Sequence, residues 1–200
     1  MLAAFPDARV VEVTEGWEDR WREFHRSVTI GPLWVGPPWE APPPGALAVV
    51  VDPGRAFGTG AHASTRLCLE LLLRESRGSV LDVGCGSGVL SIAASLLGHS
   101  PVIAVDVDPV AVEVAKENAR ANGVDLETRV VDARNGELPE ADLALANISL
   151  EAIEAVGPRL RVARAITAGY LSRDSLELPG FTRLERLERD AWAADMFSRS

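Results

Sequence analysis

A short apolar segment runs directly into three alternating glycines in the stretch Val80-Leu81-Asp82-Val83-Gly84-Cys85-Gly86-Ser87-Gly88. The apolar segment predicts a buried strand, and the apolar residues that follow at 89–97 predict a helix. Glycines allow a tight turn between the two elements and let a ligand approach the N-terminus of the helix. The stretch therefore predicts a strand–loop–helix unit that binds a ligand at its loop.

Strand and helix patterns alternate on both sides of this unit. Further strands are predicted by the β-branched and apolar runs at 46–51, 101–105, 126–131, 141–146, 163–171, 181–187 and 191–197. Further helices are predicted at 65–74 and from Asp108-Pro109, an N-cap followed by a first-turn proline, to Asn122-Gly123. Near-continuous apolar strands that alternate with helices indicate a mostly parallel sheet covered on both faces. We expect a Rossmann-like α/β fold with a seven-stranded, mostly parallel sheet and an antiparallel edge hairpin formed by the last two segments.

The first 45 residues differ in composition from the rest of the chain. Trp17, Trp21 and Phe24 fall on one face of a short predicted helix, and a proline-rich stretch from Gly36 to Gly45 follows it. The prolines predict an extended connection. We expect residues 1–45 to form an N-terminal helix and linker, and residues 46–200 to form one ligand-binding domain, a size usual for a single domain.

Composition argues against several classes of protein. The formal net charge is −9, with no basic patch, so direct nucleic-acid binding is not expected. The two cysteines, Cys68 and Cys85, belong to no CxxC pair or His-rich cluster, so neither a disulfide nor a metal site is expected. No signal peptide and no apolar run long enough for a membrane span is evident. We expect a soluble, cytoplasmic protein.

Two acidic residues follow predicted strands downstream of the glycine loop. Asp106 ends the strand at 102–106, 22 residues beyond Gly84, where a carboxylate accepts hydrogen bonds from both hydroxyls of a ribose. Asp132 follows the next strand and is predicted to face an adenine amine. For both residues the alternative is a solvated loop carboxylate. The dinucleotide fingerprint requires glycine where Val89 stands, which disfavours an NAD-dependent oxidoreductase.

The G-x-G-x-G loop, with Asp82 two residues before it, resembles the cofactor loop of class I S-adenosylmethionine-dependent methyltransferases. This resemblance implies S-adenosylmethionine as the cofactor. It also implies cofactor contacts at Asp82, Gly84, Gly86 and Gly88.

A second resemblance is more specific. The predicted strand at 141–146 delivers Asn147-Ile148 to the ligand-binding edge of the sheet, without the N-P-P-Y motif of enzymes that methylate amide or base nitrogens. Asn147-Ile148 and the stretch from Asp52 to Leu67 resemble the bacterial methyltransferases of ribosomal protein L11, the PrmA family. Carried over by position, that family's cofactor contacts fall on Thr65, Gly84, Asp106 and Asn147, and Phe57 offers an apolar cover.

The resemblance implies an N-methyltransferase that acts on a protein amine, lysine or α-amino, with a ribosomal protein as one candidate substrate. Asn147 would act in catalysis by directing the amine, and His62 would either act in catalysis or simply form a hydrogen bond in its loop. The alternatives are a methyltransferase for a small molecule or another protein, and a non-catalytic cofactor-binding module. Family members carry an N-terminal substrate domain that we expect this chain to lack, because only about a dozen residues precede the matching helix.

Overall fold

The computed structural model describes residues 26–52 and 60–200, which form two sheets and four α-helices. The small sheet consists of β1 (Val28–Ile30), β2 (Leu33–Gly36) and β3 (Leu47–Val50). The large sheet consists of β4 (Val80–Val83), β5 (Val102–Asp106), β6 (Glu127–Val130), β7 (Ala141–Asn147), β8 (Val162–Leu171), β9 (Phe181–Arg189) and β10 (Trp192–Arg199). The helices are α1 (Ala63–Leu72), α2 (Val89–Leu96), α3 (Pro109–Ala121) and α4 (Leu150–Val156), the last followed by a 3-10 turn, Gly157–Arg159.

The large sheet confirms the predicted fold class. Its strand order is β6-β5-β4-β7-β8-β10-β9. The first five of these strands pair in parallel, whereas β10 runs antiparallel to both β8 and β9. The sheet therefore has seven mostly parallel strands and ends in the expected antiparallel hairpin.

The small sheet was not predicted. The segment expected at 46–51 is a strand, but it pairs in parallel with β2, which in turn pairs antiparallel with β1. The expected boundary between residues 45 and 46 thus falls between two strands of one sheet. Strands β1 and β2 are only three and four residues long, too short for a clear alternating pattern, yet Trp34 and Val35 are buried in the core. The predicted helix around Trp17, Trp21 and Phe24 lies outside the described residues.

The large sheet is covered on both faces. Helices α1 and α2 and the small sheet pack on one face, where Leu67, Leu71 and Ile92 are fully buried. On the other face, Ile153 of α4 packs beside the segment 172–180, which contains no helix but buries Leu176 and Leu178. The carboxyl ends of the parallel strands β5, β4 and β7 lie side by side between these two layers.

The turn between β9 and β10 holds two non-glycine residues in the left-handed region, Asp190 at φ 49° and Ala191 at φ 64°. Glycine is favoured at the second position of such a turn because it lacks a Cβ. We expect Ala191→Gly to raise the free energy of unfolding by about 1 kcal/mol, measured by urea denaturation. The control is Ala163→Gly, at an exposed position within β8, which should lower it by about 0.5–1 kcal/mol. If both substitutions change the free energy of unfolding by the same amount and in the same direction, strain at the turn is contradicted.

Candidate active site

Three of the predicted site segments meet at one edge of the large sheet. Strands β5, β4 and β7 are parallel neighbours, so their carboxyl ends lie side by side. The glycine loop follows β4, Asp106 ends β5, and Asn147 ends β7. Open α/β sheets bind ligands at this edge, where the strand order reverses.

The glycine loop is fixed by backbone hydrogen bonds and by positive φ angles. The N–H groups of Gly84 and Cys85 both donate to the Val105 carbonyl, at 2.8 and 3.0 Å. Gly84, Gly86 and Gly88 have φ angles of 72°, 53° and 79°, which residues with a Cβ rarely adopt. The loop therefore presents backbone, without side chains at these three positions, to the open edge of the sheet.

Asp106, at the end of β5, accepts two backbone hydrogen bonds. Its Oδ2 accepts the Gly86 N–H and its Oδ1 accepts the Asp108 N–H, both at 3.0 Å. Each carboxylate oxygen can accept a second hydrogen bond, so the half-buried carboxylate retains one acceptor site on each oxygen. Val107, the next residue, is 66% exposed and offers an apolar surface beside that carboxylate.

Asp82 lies beneath the glycine loop rather than on its surface, with 1% of its area exposed. The Ser91 hydroxyl donates to its Oδ2 at 2.6 Å, and the Ser91 backbone N–H, in the first turn of α2, bonds to the same carboxylate. Burial raises the pKa of Asp82 to about 6, partly offset by these two hydrogen bonds. Its direct contact with a cofactor remains a prediction, and its observed contact is with the N-terminus of α2.

This carboxylate bears on the choice of ligand. Dinucleotide-binding folds place a pyrophosphate at the N-terminus of the corresponding helix, where free N–H groups and the helix dipole attract an anion. Here Asp82, ionised above its pKa of about 6, already supplies the anion from inside the protein. A second anion at this helix end would therefore be repelled.

Asn147 and Thr65 are brought together from positions 82 residues apart. The Asn147 Nδ2 donates to the Thr65 Oγ1 at 3.1 Å, and Thr65 is buried in the first turn of α1. This bond fixes the amide so that its oxygen is left as an acceptor. Ile148 packs so closely on the glycine loop that a Cβ on Gly84 would lie 2.4 Å from its Cγ2.

His62 is the exposed N-cap of α1. Its Nδ1 accepts the Ser64 N–H at 3.3 Å and lies 2.8 Å from the Ser64 Oγ. Its ring meets the Trp192 ring edge to face, with 4.5 Å between the ring centroids. These contacts give His62 a helix-capping role, and a role in catalysis remains a prediction.

Two other residues, Asp132 and Phe57, were predicted to contact the cofactor. Asp132 lies in the exposed loop after β6, where it accepts the Asn135 Nδ2 at 2.7 Å and the Arg134 N–H at 3.0 Å. These hydrogen bonds, the one from Asn135 foremost, lower the pKa of Asp132. Its carboxylate thus serves a local turn, and its contact with adenine remains a prediction. Phe57 lies outside the described residues.

Sequence reasoning missed three residues that support the site. The buried Asn118 donates from its Nδ2 to the Ser87 carbonyl in the glycine loop, at 2.9 Å. Asn122 was predicted only to end a helix, but its side-chain amide also pairs with the N–H and carbonyl of Val50, both at 2.7 Å. Gly169 forms a bulge in β8 beside Ile148. An asparagine inside an apolar helix face and a glycine inside a strand are the signals that could have found Asn118 and Gly169.

Within residues 26–52 and 60–200, no helix is long and apolar enough to cross a membrane. In the same ranges, no three His, Cys, Asp or Glu side chains are grouped so that they could hold a metal ion. Both cysteines are unpaired and buried, and burial strongly raises the pKa of each thiol.

The sheet order, the glycine loop and the acid at the end of β5 define an α/β protein with the class I methyltransferase fold. A solved structure supports this: the chain is similar to a ribosomal protein L11 methylase from Lactobacillus delbrueckii subsp. bulgaricus, with a TM-score of 0.78 and 28% identity. The alignment covers 88% of this chain and 100% of that one.

Residues 6–173 match the family model for ribosomal protein L11 methyltransferase (PrmA), and the chain belongs to this family. It is 46% identical over 154 residues to the ribosomal protein L11 methyltransferase of Symbiobacterium thermophilum, covering 72% of this chain and 49% of the relative. It is 41% identical over 201 residues to that of Pelotomaculum thermopropionicum, covering 90% and 64%. The chain thus spans about half to two thirds of the length of these relatives.

Asp106→Ala should weaken binding of S-adenosylmethionine at least tenfold in a calorimetric titration. Two hydrogen bonds to a carboxylate, worth about 1.5–3 kcal/mol each, would be lost. Asp108→Ala is the matched control, because it removes the same charge two residues away but only caps α3, through the Val110 N–H. Equal dissociation constants for the two variants would contradict ribose binding by Asp106.

Asp82→Asn should change how stability depends on pH. Because the folded pKa of about 6 lies above the unfolded value near 3.8, Asp82 contributes a loss of stability as pH rises from 4 to 7, of about 3 kcal/mol at most. The variant should lack this loss, as measured by urea denaturation across that range. Asp142→Asn is the control of opposite sign, with the titration extended below pH 4: hydrogen bonds from Ser79 lower the pKa of Asp142, so its contribution to stability is lost as the pH falls below the unfolded value near 3.8. If the free energy of unfolding depends on pH in the same way in the wild type and in Asp82→Asn, the raised pKa of Asp82 is contradicted.

Proposed function

We propose that the chain is an S-adenosylmethionine-dependent N-methyltransferase that acts on an amine of a protein, and that this protein is a ribosomal protein. Membership of the PrmA family and the names of its relatives support the reaction and the substrate. The observation that carries the proposal is the Asn147 amide, which Thr65 orients at the carboxyl end of β7 beside the glycine loop. A ribosomal substrate also implies a cytoplasmic enzyme.

The residues at this edge fit the cofactor by their chemistry. Asp106 offers two acceptor sites for the ribose hydroxyls, and the exposed Val107 offers an apolar contact for the base. Asp82 at the N-terminus of α2 favours a cofactor without a pyrophosphate. When bound, the cofactor supplies a methyl group on a positively charged sulfur, which needs no further activation by the protein.

The task left to the protein is to deliver a neutral amine in the correct orientation. A lysine amine has an unperturbed pKa near 10.4, so it must lose a proton before it can attack. The Asn147 amide oxygen accepts a hydrogen bond from the amine without adding the negative charge that would stabilise the ammonium form. The released proton passes to water.

The direct experiment is methyl transfer from labelled S-adenosylmethionine to purified ribosomal protein L11, followed by mass spectrometry of the product. We expect label on a lysine side chain or on the α-amino group. Label on a non-ribosomal protein or a small molecule in a cell lysate, with none on a ribosomal protein, would contradict the ribosomal substrate. Cofactor binding without any transfer would identify a binding module instead of an enzyme.

Asn147→Ala and Asn147→Asp should both lower kcat at saturating cofactor by roughly 10- to 1,000-fold, the scale of lost alignment. Alanine removes the acceptor, and aspartate adds a charge that favours the ammonium form. Thr65→Val should cause a smaller loss, because it only frees the amide to turn. Single-turnover transfer measures these rates. A raised KM for the cofactor with normal kcat would show that Asn147 only contacts the cofactor.

A further inference from the structure

Three buried polar side chains on β8 and β10 form one hydrogen-bonded cluster, which we call the β8 clamp: Thr167, Tyr170 and Asp195. The Tyr170 hydroxyl donates to the Asp195 Oδ2 at 2.8 Å and lies 2.8 Å from the Thr167 Oγ1. It also lies 3.2 Å from the Thr167 carbonyl oxygen. All three residues are at most 2% exposed. None of them was part of the predicted site.

The clamp encloses a bulge in β8. Tyr170 pairs with Ala193 of β10, but Ala168 pairs with Ala194, so Gly169 is the extra residue of the bulge. Thr167 lies before the bulge and Tyr170 after it, so the bonds between them close a ring across it. Asp195 lies opposite Thr167 in the register and ties this ring to β10.

The bulge in turn holds Ile148, the residue after Asn147. The Ile148 N–H donates to the Ala168 carbonyl at 3.1 Å. Gly169 has a φ of 99°, and a Cβ there would lie 2.2 Å from the Ile148 carbonyl oxygen. The Ile148 side chain abuts Gly84 on its other side. Any movement of the bulge must therefore move Ile148, and with it Asn147 or the glycine loop.

The clamp contains a buried carboxylate, and removing a charge from water costs free energy. Asp195 is fully buried, and it is compensated by Arg186 at 3.4 Å and Arg183 at 3.6 Å from its carboxylate oxygens. Apolar residues of similar volume often stabilise a core as well as a buried charge network does. One attested role of a buried polar network is to specify a single geometry.

We propose that the β8 clamp is a positioning device: through the Gly169 bulge it sets the place of Ile148 and of the Asn147 amide. The consequence for the rate rests on the proposed methyl transfer. The geometric consequence does not, because it concerns only how Ile148 contacts Gly84. A displacement of about 1 Å can reduce the rate of an aligned reaction by about 100-fold.

The test is Tyr170→Phe, which removes the hydroxyl and keeps the ring. We expect kcat for transfer to L11 to fall about tenfold while the dissociation constant for S-adenosylhomocysteine stays within twofold. The backbone amide resonances of Gly84 and Ile148 should also shift in nitrogen-15 NMR spectra. Thr167→Val, a second way to open the clamp, should give the same pattern. Thr182→Val is the matched control, since Thr182 pairs its hydroxyl with Ser200, and it should leave kcat and the Gly84 resonance unchanged.

The outcomes separate the two proposals. If the wild type transfers no methyl group, the proposed function fails. The Gly84 and Ile148 resonances of the variants then still test whether the clamp positions Ile148. If the wild type is active, unchanged kcat and unchanged resonances in Tyr170→Phe and Thr167→Val would overturn the positioning role. A lower melting temperature with normal kcat at low temperature would also overturn it, because the clamp would then serve stability alone. If Tyr170→Phe does not fold, Thr167→Val decides by the same readouts.

Discussion

The contact between Asp82 and the first turn of α2 links the centre of the large sheet to the glycine loop. The carboxylate accepts hydrogen bonds from the Ser91 side chain and backbone, so the helix begins above a buried negative charge. The glycine loop must arch over this contact, and it does so with three residues at positive φ. One N–H group in the first turn of α2 is thus bonded to a carboxylate inside the protein, and that charge opposes a phosphate at this helix end. The same contact underlies our proposal that the loop takes a cofactor without phosphates.

A second constraint joins the strands around the site. Ile148 lies between Gly84 and Gly169, so close to each that neither glycine could carry a Cβ without displacing it. Three neighbouring strands, β4, β7 and β8, are thus held at their carboxyl ends by one isoleucine. Asn147 precedes that isoleucine, and its amide is oriented by Thr65 from α1. Methyl transfer requires that the two reacting groups are aligned. Contacts from β4, β8 and α1 hold Ile148 and Asn147 from several sides, which is the kind of support that such an alignment needs.

Much of this arrangement was predictable from local sequence, because local signals encode it. The glycine spacing predicted the loop, an acid at a strand end predicted the position of Asp106, and Asn147 was correctly placed at the end of its strand. The sequence did not predict elements that depend on pairing between residues far apart in the chain. Strands β1 and β2 are too short to show a period, and the β8 clamp joins residues whose hydroxyl and carboxyl groups meet only after β10 has paired with β8. The contact of Asp82 with Ser91 was likewise missed, since the sequence does not show which group an acid in a buried strand will meet.

Paired calorimetric titrations with S-adenosylmethionine and NAD test most directly whether this edge of the sheet holds a nucleoside cofactor without phosphates. We expect saturable binding of S-adenosylmethionine with one site per chain, and no measurable heat from NAD at the same concentrations. In Asp82→Asn the difference in affinity between S-adenosylmethionine and NAD should become smaller, because the buried charge that repels a pyrophosphate is removed. Binding of NAD by the wild type with an affinity equal to or greater than that for S-adenosylmethionine would contradict this assignment of the site.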